Sequence, residues 1–196
     1  MIDQKLIDTN YQLSPWGLIV KEIHDCNPYI VSKIVIEGEF DDLSFPEIAS
    51  TLSLFLKSRG EAENIISELN ISDKQKGLIQ KIKRMNYEFE TKEIELNNVI
   101  TYKFFNEWDV NTNMIEMVYE WCSGKNWSEV KELSSKKLFE GNFVKNMLSL
   151  KNIIKSVYLI AKLQNNTKLL DTLYQYETKI VKGIVVPETL YSEKLN

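Results

Sequence analysis

The stretch that decides the fold is EGNFVKNMLSLKNIIKSVYLIAKLQNN, residues 140–166. Its apolar side chains recur at alternating steps of four and three residues. They are Phe143, Met147, Leu150, Ile154, Val157 and Ala161. This spacing places one continuous apolar seam along an α-helix, which is typical of a helix buried inside a bundle. Asn165-Asn166 follows and is expected to end the helix. The sequence therefore predicts a long helix over residues 140–164.

The segments on both sides of this helix carry helix-start signals. Ser44-Phe45-Pro46-Glu47, Ser72-Asp73-Lys74-Gln75 and Asn126-Trp127-Ser128-Glu129 each place a capping residue three positions before Glu or Gln. Ser14-Pro15 and Asn27-Pro28 place proline at the first helical position. The further helices predicted from these signals cover residues 14–25, 27–38, 44–60, 73–92, 113–124, 126–133 and 167–184.

These elements predict an all-α fold, a helical bundle of about seven or eight helices. Residues 5–13 are expected to form a short β-hairpin, with Asp8-Thr9-Asn10 at its turn. Ile36 is expected to face inward together with Ile30 and Ile34. In the helix at 73–92, Tyr87 shares the helical spacing of Ile79 and Ile82.

Composition restricts the class of protein. A length of 196 residues predicts one domain, and 43% hydrophobic with 27% charged residues is typical of a globular chain. Seven glycines and four prolines argue against a fold of many short strands and against a glycine-rich phosphate loop. Cys26 and Cys122 are too few for a disulfide framework, so we expect an intracellular, reducing compartment. The sequence begins with no signal peptide, and no apolar run reaches the roughly 18 residues of a membrane span.

Positive charge is concentrated around the long helix. The net charge of the chain is −4, but residues 131–170 contain eight lysines and two glutamates, a balance of +6. The lysines are Lys131, Lys136, Lys137, Lys145, Lys151, Lys155, Lys162 and Lys168. Opposite the apolar seam, Lys145, Ser149, Asn152 and Ser156 form a polar stripe at steps of four, three and four. Two interpretations remain open: a solvated helix face, or a helix that lies along a nucleic-acid backbone.

The sequence argues against most other kinds of functional site. Ser123-Gly124-Lys125-Asn126 lacks the first glycine and the final Ser or Thr of a phosphate-binding loop, so Gly124 is interpreted as a helix stop. His24 is the only histidine, and with no cysteine pair a zinc site is not expected. Cys122 follows an apolar helix stripe and is interpreted as a small buried side chain rather than a catalytic thiol.

The remaining candidates are carboxylates and aromatic rings. Glu116 and Glu120 lie four residues apart and are expected to be solvated, with no third group for acid–base work. Trp108, Trp121 and Trp127 are interpreted as core residues rather than base-stacking platforms.

The string MVYEWCSGKNWSEVKELSSKKLFEGNFVKNMLSLKNII (117–154) carries a family resemblance, together with IVKGIVVPETLY (180–191). It resembles the C-terminal helical domain, called DSHCT, of the superkiller and exosome-cofactor DExH-box RNA helicases. The family patterns Y-x-W-C-x-G and F-E-G-S are present as Tyr119–Gly124 and Phe139–Asn142, and Thr189-Leu190-Tyr191 resembles the family's ending. IEGEFDDLSFPEIASTLSLFL (36–56) is similar as well, whereas residues 60–105 match poorly.

Two further stretches extend the resemblance. GLIVKEIHDCNPYIVSKIV (17–35) is similar to the helix pair that begins the family's domain, and its Asp-Cys-Asn-Pro variant resembles copies from large DNA viruses. KLIDTNYQLSPWG (5–17) resembles the wing of the winged-helix domain that precedes the bundle in these helicases. The resemblance therefore implies a remnant of a preceding domain at residues 1–13 and a DSHCT-like bundle at 14–196. A piece of a longer protein is expected, with a split gene product as the alternative.

In such helicases this domain packs on the motor domains and closes the RNA channel, and its long ratchet helix touches the translocating single strand. By resemblance the ratchet helix is residues 140–164, with Lys145 at the family's basic position. Ser149 and Asn152 stand where the family has Arg and Glu, so the charge-assisted contacts there are lost. Lys151 and Lys155 complete the expected nucleic-acid-binding residues.

The resemblance implies no catalysis and no cofactor in this chain, because ATP and Mg²⁺ would be bound by the motor domains, joined in cis or in trans. It also implies an intracellular location, in the cytoplasm or nucleus, or in the virion or viral factory for a viral copy, and no membrane partner. Two other functions remain open. One is a stand-alone module that binds a helicase or an RNA-processing complex, and the other is an independent helical nucleic-acid binder.

The chain contains neither a Walker A motif nor a D-E-x-H string. We therefore expect no ATP hydrolysis by these 196 residues. The measurement is phosphate release by the purified chain with ATP and Mg²⁺, with and without single-stranded RNA. Turnover that RNA stimulates would contradict the expectation.

Overall fold

A computed structural model describes residues 6–21, 23–56, 65–99, 110–133 and 139–186. These ranges contain nine α-helices and three short 3₁₀ turns, and they contain no β-strand, which confirms the all-α class. The helices are α1 Pro15–Val20, α2 Pro28–Ile36, α3 Phe45–Leu52, α4 Asp73–Asn97, α5 Ile115–Cys122, α6 Trp127–Lys131, α7 Glu140–Leu163, α8 Thr167–Thr172 and α9 Tyr176–Ile180. The 3₁₀ turns are Ser53–Phe55, Ile66–Glu68 and Gly183–Val185.

Helix α7 is the central element, and it packs against α2, α3, α8 and α9. All six apolar positions of its predicted seam are buried, which confirms the seam. Val144, Ile153 and Ile160 widen the buried surface to roughly half of the helix circumference at 3.6 residues per turn, and the other side remains open. Asn165 adopts a left-handed conformation with φ 55° and Asn166 caps α8, which confirms the predicted helix end.

Two of the three predicted capping boxes are present. At Ser44 the backbone N–H donates to the Glu47 carboxylate at 2.8 Å, and at Asn126 it donates to Glu129 at 2.9 Å. At the third, the Ser72 hydroxyl accepts from the backbone N–H of Gln75, but the Gln75 side chain accepts no hydrogen bond from the backbone N–H of Ser72.

The Gln75 side chain turns into the core instead. It is fully buried, and its amide nitrogen donates to the Ser50 hydroxyl at 2.7 Å and to the Glu47 carbonyl at 3.2 Å. A buried amide needs such partners, and α3 supplies them for the amide nitrogen, whereas the amide oxygen has no hydrogen-bond partner among the described residues. Gln75 therefore holds α4 against α3 rather than closing its own helix end.

Several predicted boundaries differ from the structure. The first helix ends at Val20 rather than Asp25, and α3 passes into a 3₁₀ turn after Leu52. The predicted helix over 167–184 divides into α8 and α9 because Gln175 has a left-handed backbone, with φ 57°. This division gives nine helices within the described ranges instead of seven or eight. Ile36 and Tyr87 are exposed, and the inward placement expected for Ile36 is wrong.

The expected hairpin is a tight turn closed by a single β-bridge between Ile7 and Leu13. The Asp8 carboxylate accepts hydrogen bonds from the backbone N–H groups of Asn10 and Gln12, at 2.8 and 2.9 Å. Gly17 lets this turn approach α1, since a Cβ at that position would lie 2.0 Å from the Leu6 carbonyl oxygen.

The Trp121 junction joins three parts of the chain around one indole, which is only 1% exposed. Its Nε1–H donates to the Ile180 carbonyl at 2.9 Å, at the end of α9. Its ring meets Phe143 of α7 edge-on, with centroids 5.2 Å apart. The Lys182 ammonium lies 4.9 Å from the ring centroid and donates to the Trp121 carbonyl at 2.7 Å. One side chain therefore fixes α5, α7 and the segment after α9 relative to one another.

Trp121→Phe removes the indole N–H and leaves the Ile180 carbonyl with the backbone N–H of Lys182, at 3.2 Å, as its remaining donor. We expect a loss of about 2–3 kcal/mol in the free energy of unfolding. Trp127→Phe is the control. Trp127 is half-buried, also contacts Phe143, and makes no hydrogen bond through its indole among the described residues. Urea unfolding followed by circular dichroism measures both. Equal losses would show that the Trp121 hydrogen bond contributes nothing.

Candidate nucleic-acid interface

The polar stripe lies on the open side of α7, as its spacing predicts. Lys145 and Asn152 are exposed, and Ser149 and Ser156 are half-buried at the edge of the packed surface. The Ser156 hydroxyl donates to the Asn152 carbonyl at 3.3 Å, so it is partly engaged by its own helix. At 1.5 Å per residue the stripe runs for about 16 Å, all on one rigid element.

The lysines of α7 lie on or beside this side, and none of them forms an ion pair with another described residue. Lys145, Lys155 and Lys162 are exposed and Lys151 is half-buried, while Glu140 is the one acidic residue of the helix. The ion pairs formed among the described residues involve other cations. The open side of α7 is therefore able to attract an anion in a chain whose net charge is negative.

Fewer positive charges are free to attract a ligand than the balance of +6 for residues 131–170 indicates. Lys168 forms an ion pair with Asp42, which also binds Lys74 at 3.1 Å. Hydrogen bonds from Lys168 and then Lys74 hold the pKa of the Asp42 carboxyl below its usual value. Lys168 is thus engaged within the fold, and Lys136 and Lys137 lie outside the described residues.

An apolar groove continues the open side of α7 toward its C-terminal end. Leu159 and Leu163 are exposed there, and with Ile19 and Ile23 from the α1 region they line an open depression of about 560 Å³. The sequence already contained part of this signal, because Leu159 and Leu163 continue the stripe's steps of three and four after Ser156. The contribution of Ile19 and Ile23 depends on how α1 packs.

The glycine of Ser123-Gly124-Lys125-Asn126 ends α5, as predicted. Gly124 has φ 115°, a conformation that favours glycine, and its N–H donates to the Trp121 carbonyl at 3.1 Å. Lys125 turns back to Glu120, with 3.0 Å between its ammonium and the carboxylate. The segment is therefore a helix stop followed by the cap of α6.

The cysteine and histidine candidates occupy sites without catalytic geometry. Cys122 packs against the core, and burial raises its pKa to about 12, as it does for Cys26. His24 is exposed in the loop after α1. Among the described residues no group of three His, Cys, Asp or Glu side chains comes together to hold a metal.

The remaining candidates are explained by packing. Trp121 is buried and Trp127 is half-buried against Phe143, which confirms them as core residues, whereas Trp108 lies outside the described residues. Glu116 is not simply solvated, because its carboxylate accepts from the backbone N–H of Asn70 at 2.9 Å. That partner is 46 residues away, so sequence spacing could not have indicated it.

Comparisons with known proteins give a family match over most of the chain. The family model described as "DSHCT (NUC185) domain" matches residues 10–187. The human protein named "Exosome RNA helicase MTR4" is 21% identical over 175 residues, which are 89% of this chain and 16% of that protein. The Saccharomyces cerevisiae protein named "Antiviral helicase SKI2" is 25% identical over 197 residues, covering 96% of this chain and 14% of that protein.

A third relative is also named as a helicase and is also much longer than this chain. The Arabidopsis thaliana protein named "DExH-box ATP-dependent RNA helicase DExH9" is 22% identical over 184 residues, covering 89% of this chain and 17% of that protein. The chain thus spans about one sixth of the length of these relatives. Within the described ranges, every helix is too short or too polar to cross a membrane.

The raised pKa values of Cys26 and Cys122 lead to a prediction about thiol reactivity. At pH 8 a thiol with a pKa of about 12 is ionised in roughly one molecule in ten thousand. We expect neither cysteine to react with Ellman's reagent at that pH until urea unfolds the chain, when both react promptly. Rapid reaction of Cys122 in the folded protein would contradict its interpretation as a packing residue.

Proposed function

Because the chain belongs to the DSHCT (NUC185) domain family, we propose that it is the C-terminal accessory domain of a DExH-box RNA helicase. The family model covers residues 10–187, and the similar proteins named above are RNA helicases and an antiviral helicase. In this function the chain does no catalysis. It adds a surface for RNA to a motor whose own domains bind ATP and Mg²⁺, in an intracellular location.

The observation that carries the proposal is the open side of α7. The opposite side of this helix is packed into the bundle, so the open side is held in a fixed direction. That side presents Lys145, Ser149 and Asn152, with Lys151 and Lys155 beside them. Lysines attract phosphates without regard to sequence, and short polar side chains donate to phosphate or ribose oxygens. The surface suits a single strand of RNA that slides past it.

The apolar groove gives the proposal its second surface. Leu159 and Leu163 leave apolar area exposed next to the polar stripe, and exposed apolar patches mark protein contacts. We assign this groove to packing on the helicase motor domains, joined to the chain in cis or bound in trans. The strand-contacting half and the motor-contacting half of α7 are then consecutive parts of one rigid helix.

The strand contact is weaker here than the family pattern implies. Ser149 and Asn152 stand where the family has Arg and Glu, and neither carries a charge. A serine hydroxyl makes one ordinary hydrogen bond, whereas a guanidinium makes charge-assisted and bidentate bonds to phosphate. The three lysines therefore supply most of the attraction.

Neutralising Lys145, Lys151 and Lys155 to Gln should lower RNA affinity and its salt dependence together. Each lost phosphate contact on a single strand reduces the slope of log K against log salt by about 0.7, so the slope should fall by about 2. Fluorescence anisotropy of a labelled single-stranded RNA, from low to physiological salt, measures both quantities.

The matched control for this triple variant is Lys76→Gln, Lys83→Gln and Lys92→Gln on α4. It removes the same charge from another helix and should leave the slope nearly unchanged. Ser149→Arg restores the family's cation and should tighten binding. Equal slopes for the two triple variants, or no binding by the chain at low salt, would contradict the assignment of α7 to RNA.

A further inference from the structure

The open side of α7 and its borders carry two kinds of polar group. Lys145, Lys151 and Lys155 are hydrogen-bond donors only, so they can bond the phosphate oxygens, which RNA and DNA share. Asn152 and Ser156 are neutral, and their side-chain oxygens can accept a hydrogen bond. These two residues lie four positions apart on the same side of the helix, about 6 Å along its axis. The surface therefore combines charged donors with neutral acceptors.

The hydrogen bond made by Ser156 decides what its oxygen can do for a ligand. The hydroxyl has a single proton, which it donates to the Asn152 backbone carbonyl, with 3.3 Å between the two oxygens. While this bond is made, the hydroxyl oxygen can only accept. Ser156 is half-buried and borders the apolar groove, so a ligand on the open side can reach it. A ligand group that bonds Ser156 must therefore be a donor.

The Asn152 side chain offers a second acceptor. It is exposed, and its side-chain amide makes no hydrogen bond with any other residue that the structure describes. The amide oxygen accepts and the amide nitrogen donates, so this side chain can pair with a ligand group that does both. Ser156 thus requires a donor, and Asn152 can accept from one beside it.

The ribose 2′-hydroxyl is the backbone group that meets this requirement. It is both a donor and an acceptor, and it is what distinguishes RNA from DNA at a contact. Phosphate oxygens accept only, so they cannot bond Ser156 while its proton is engaged by the helix. Bases also carry N–H donors, but these are the same in RNA and DNA strands of one sequence. The spacing of about 6 Å along α7 suits the sugars of neighbouring nucleotides in an extended strand.

We propose that Asn152 and Ser156 accept hydrogen bonds from ribose 2′-hydroxyls, so that the open side of α7 binds RNA in preference to DNA. This inference rests on the proposed function, in which the same side of α7 contacts a single strand, and it adds the basis of discrimination. The lysines supply an attraction that both nucleic acids share. The two neutral side chains supply the difference between them.

The first experiment compares three labelled single strands of equal length that contain only uracil bases. Their sugars are ribose, deoxyribose and 2′-fluororibose, and the fluorine removes the O–H donor while it keeps the sugar pucker of RNA. Fluorescence anisotropy with the full chain at low salt measures the three affinities. We expect the ribose strand to bind about tenfold more tightly than the deoxyribose strand, because two hydrogen bonds are lost. The fluoro strand should bind like the deoxyribose strand.

The second experiment removes the acceptors. Ser156→Ala should weaken binding of the ribose strand about threefold and leave the deoxyribose strand unaffected, and adding Asn152→Ala should abolish the preference. Ser123→Ala is the matched control, since its hydroxyl also donates to the carbonyl four residues earlier, that of Tyr119 at 2.8 Å. It lies on another helix end and should bind like the parent. Circular dichroism checks that each variant keeps the parent's helix content.

Three results would overturn the proposal while the triple lysine variant still weakens binding, so that the proposed RNA surface stands. The first is equal affinity for the ribose and deoxyribose strands. The second is a fluoro strand that binds like the ribose strand, which would make sugar shape the basis of the preference. The third is equal affinity of the Ser156→Ala and Ser123→Ala chains for the ribose strand. A chain that binds none of the strands at low salt would overturn both this proposal and the proposed function.

Discussion

Trp121 occupies the point where three segments distant in sequence meet, and the position of α7 depends on it. The indole N–H satisfies the Ile180 carbonyl, the ring supports Phe143, and the Trp121 carbonyl accepts from Lys182. A tryptophan is suited to this place because it combines a large apolar area with one directed donor. The Y-x-W-C-x-G pattern thus encodes a structural junction: the tryptophan joins the segments, the cysteine packs, and the glycine ends the helix.

Features set by local sequence were predictable, and features set by distant partners were not. The seam of α7, the caps at Ser44 and Asn126 and the stop at Gly124 all follow from spacing within a few residues. The Gln75 amide and the Glu116 carboxylate depend on partners 25 and 46 residues away. The division between α8 and α9 rests on a left-handed Gln175, a residue type that gives no such signal.

The same distinction applies to the candidate site. Periodicity placed Lys145, Ser149 and Asn152 on the open side of α7, because that side is the complement of the seam. It did not reveal that Lys168 is paired with Asp42, nor that α1 completes an apolar groove at the far end. The Asp-Cys-Asn-Pro resemblance to viral copies of the domain stays a prediction.

The Trp121 junction also has a consequence for how the chain folds. Its hydrogen bond closes a loop between residues 59 positions apart. Closing a loop of this length lowers the conformational entropy of the chain before the favourable contacts between its ends can form. Helix α7 lies inside that loop, and it packs against α2 and α3, which precede it, as well as against α9, which follows it. On the ribosome the contacts of α7 with the segment around Lys182 can form only after that segment has emerged.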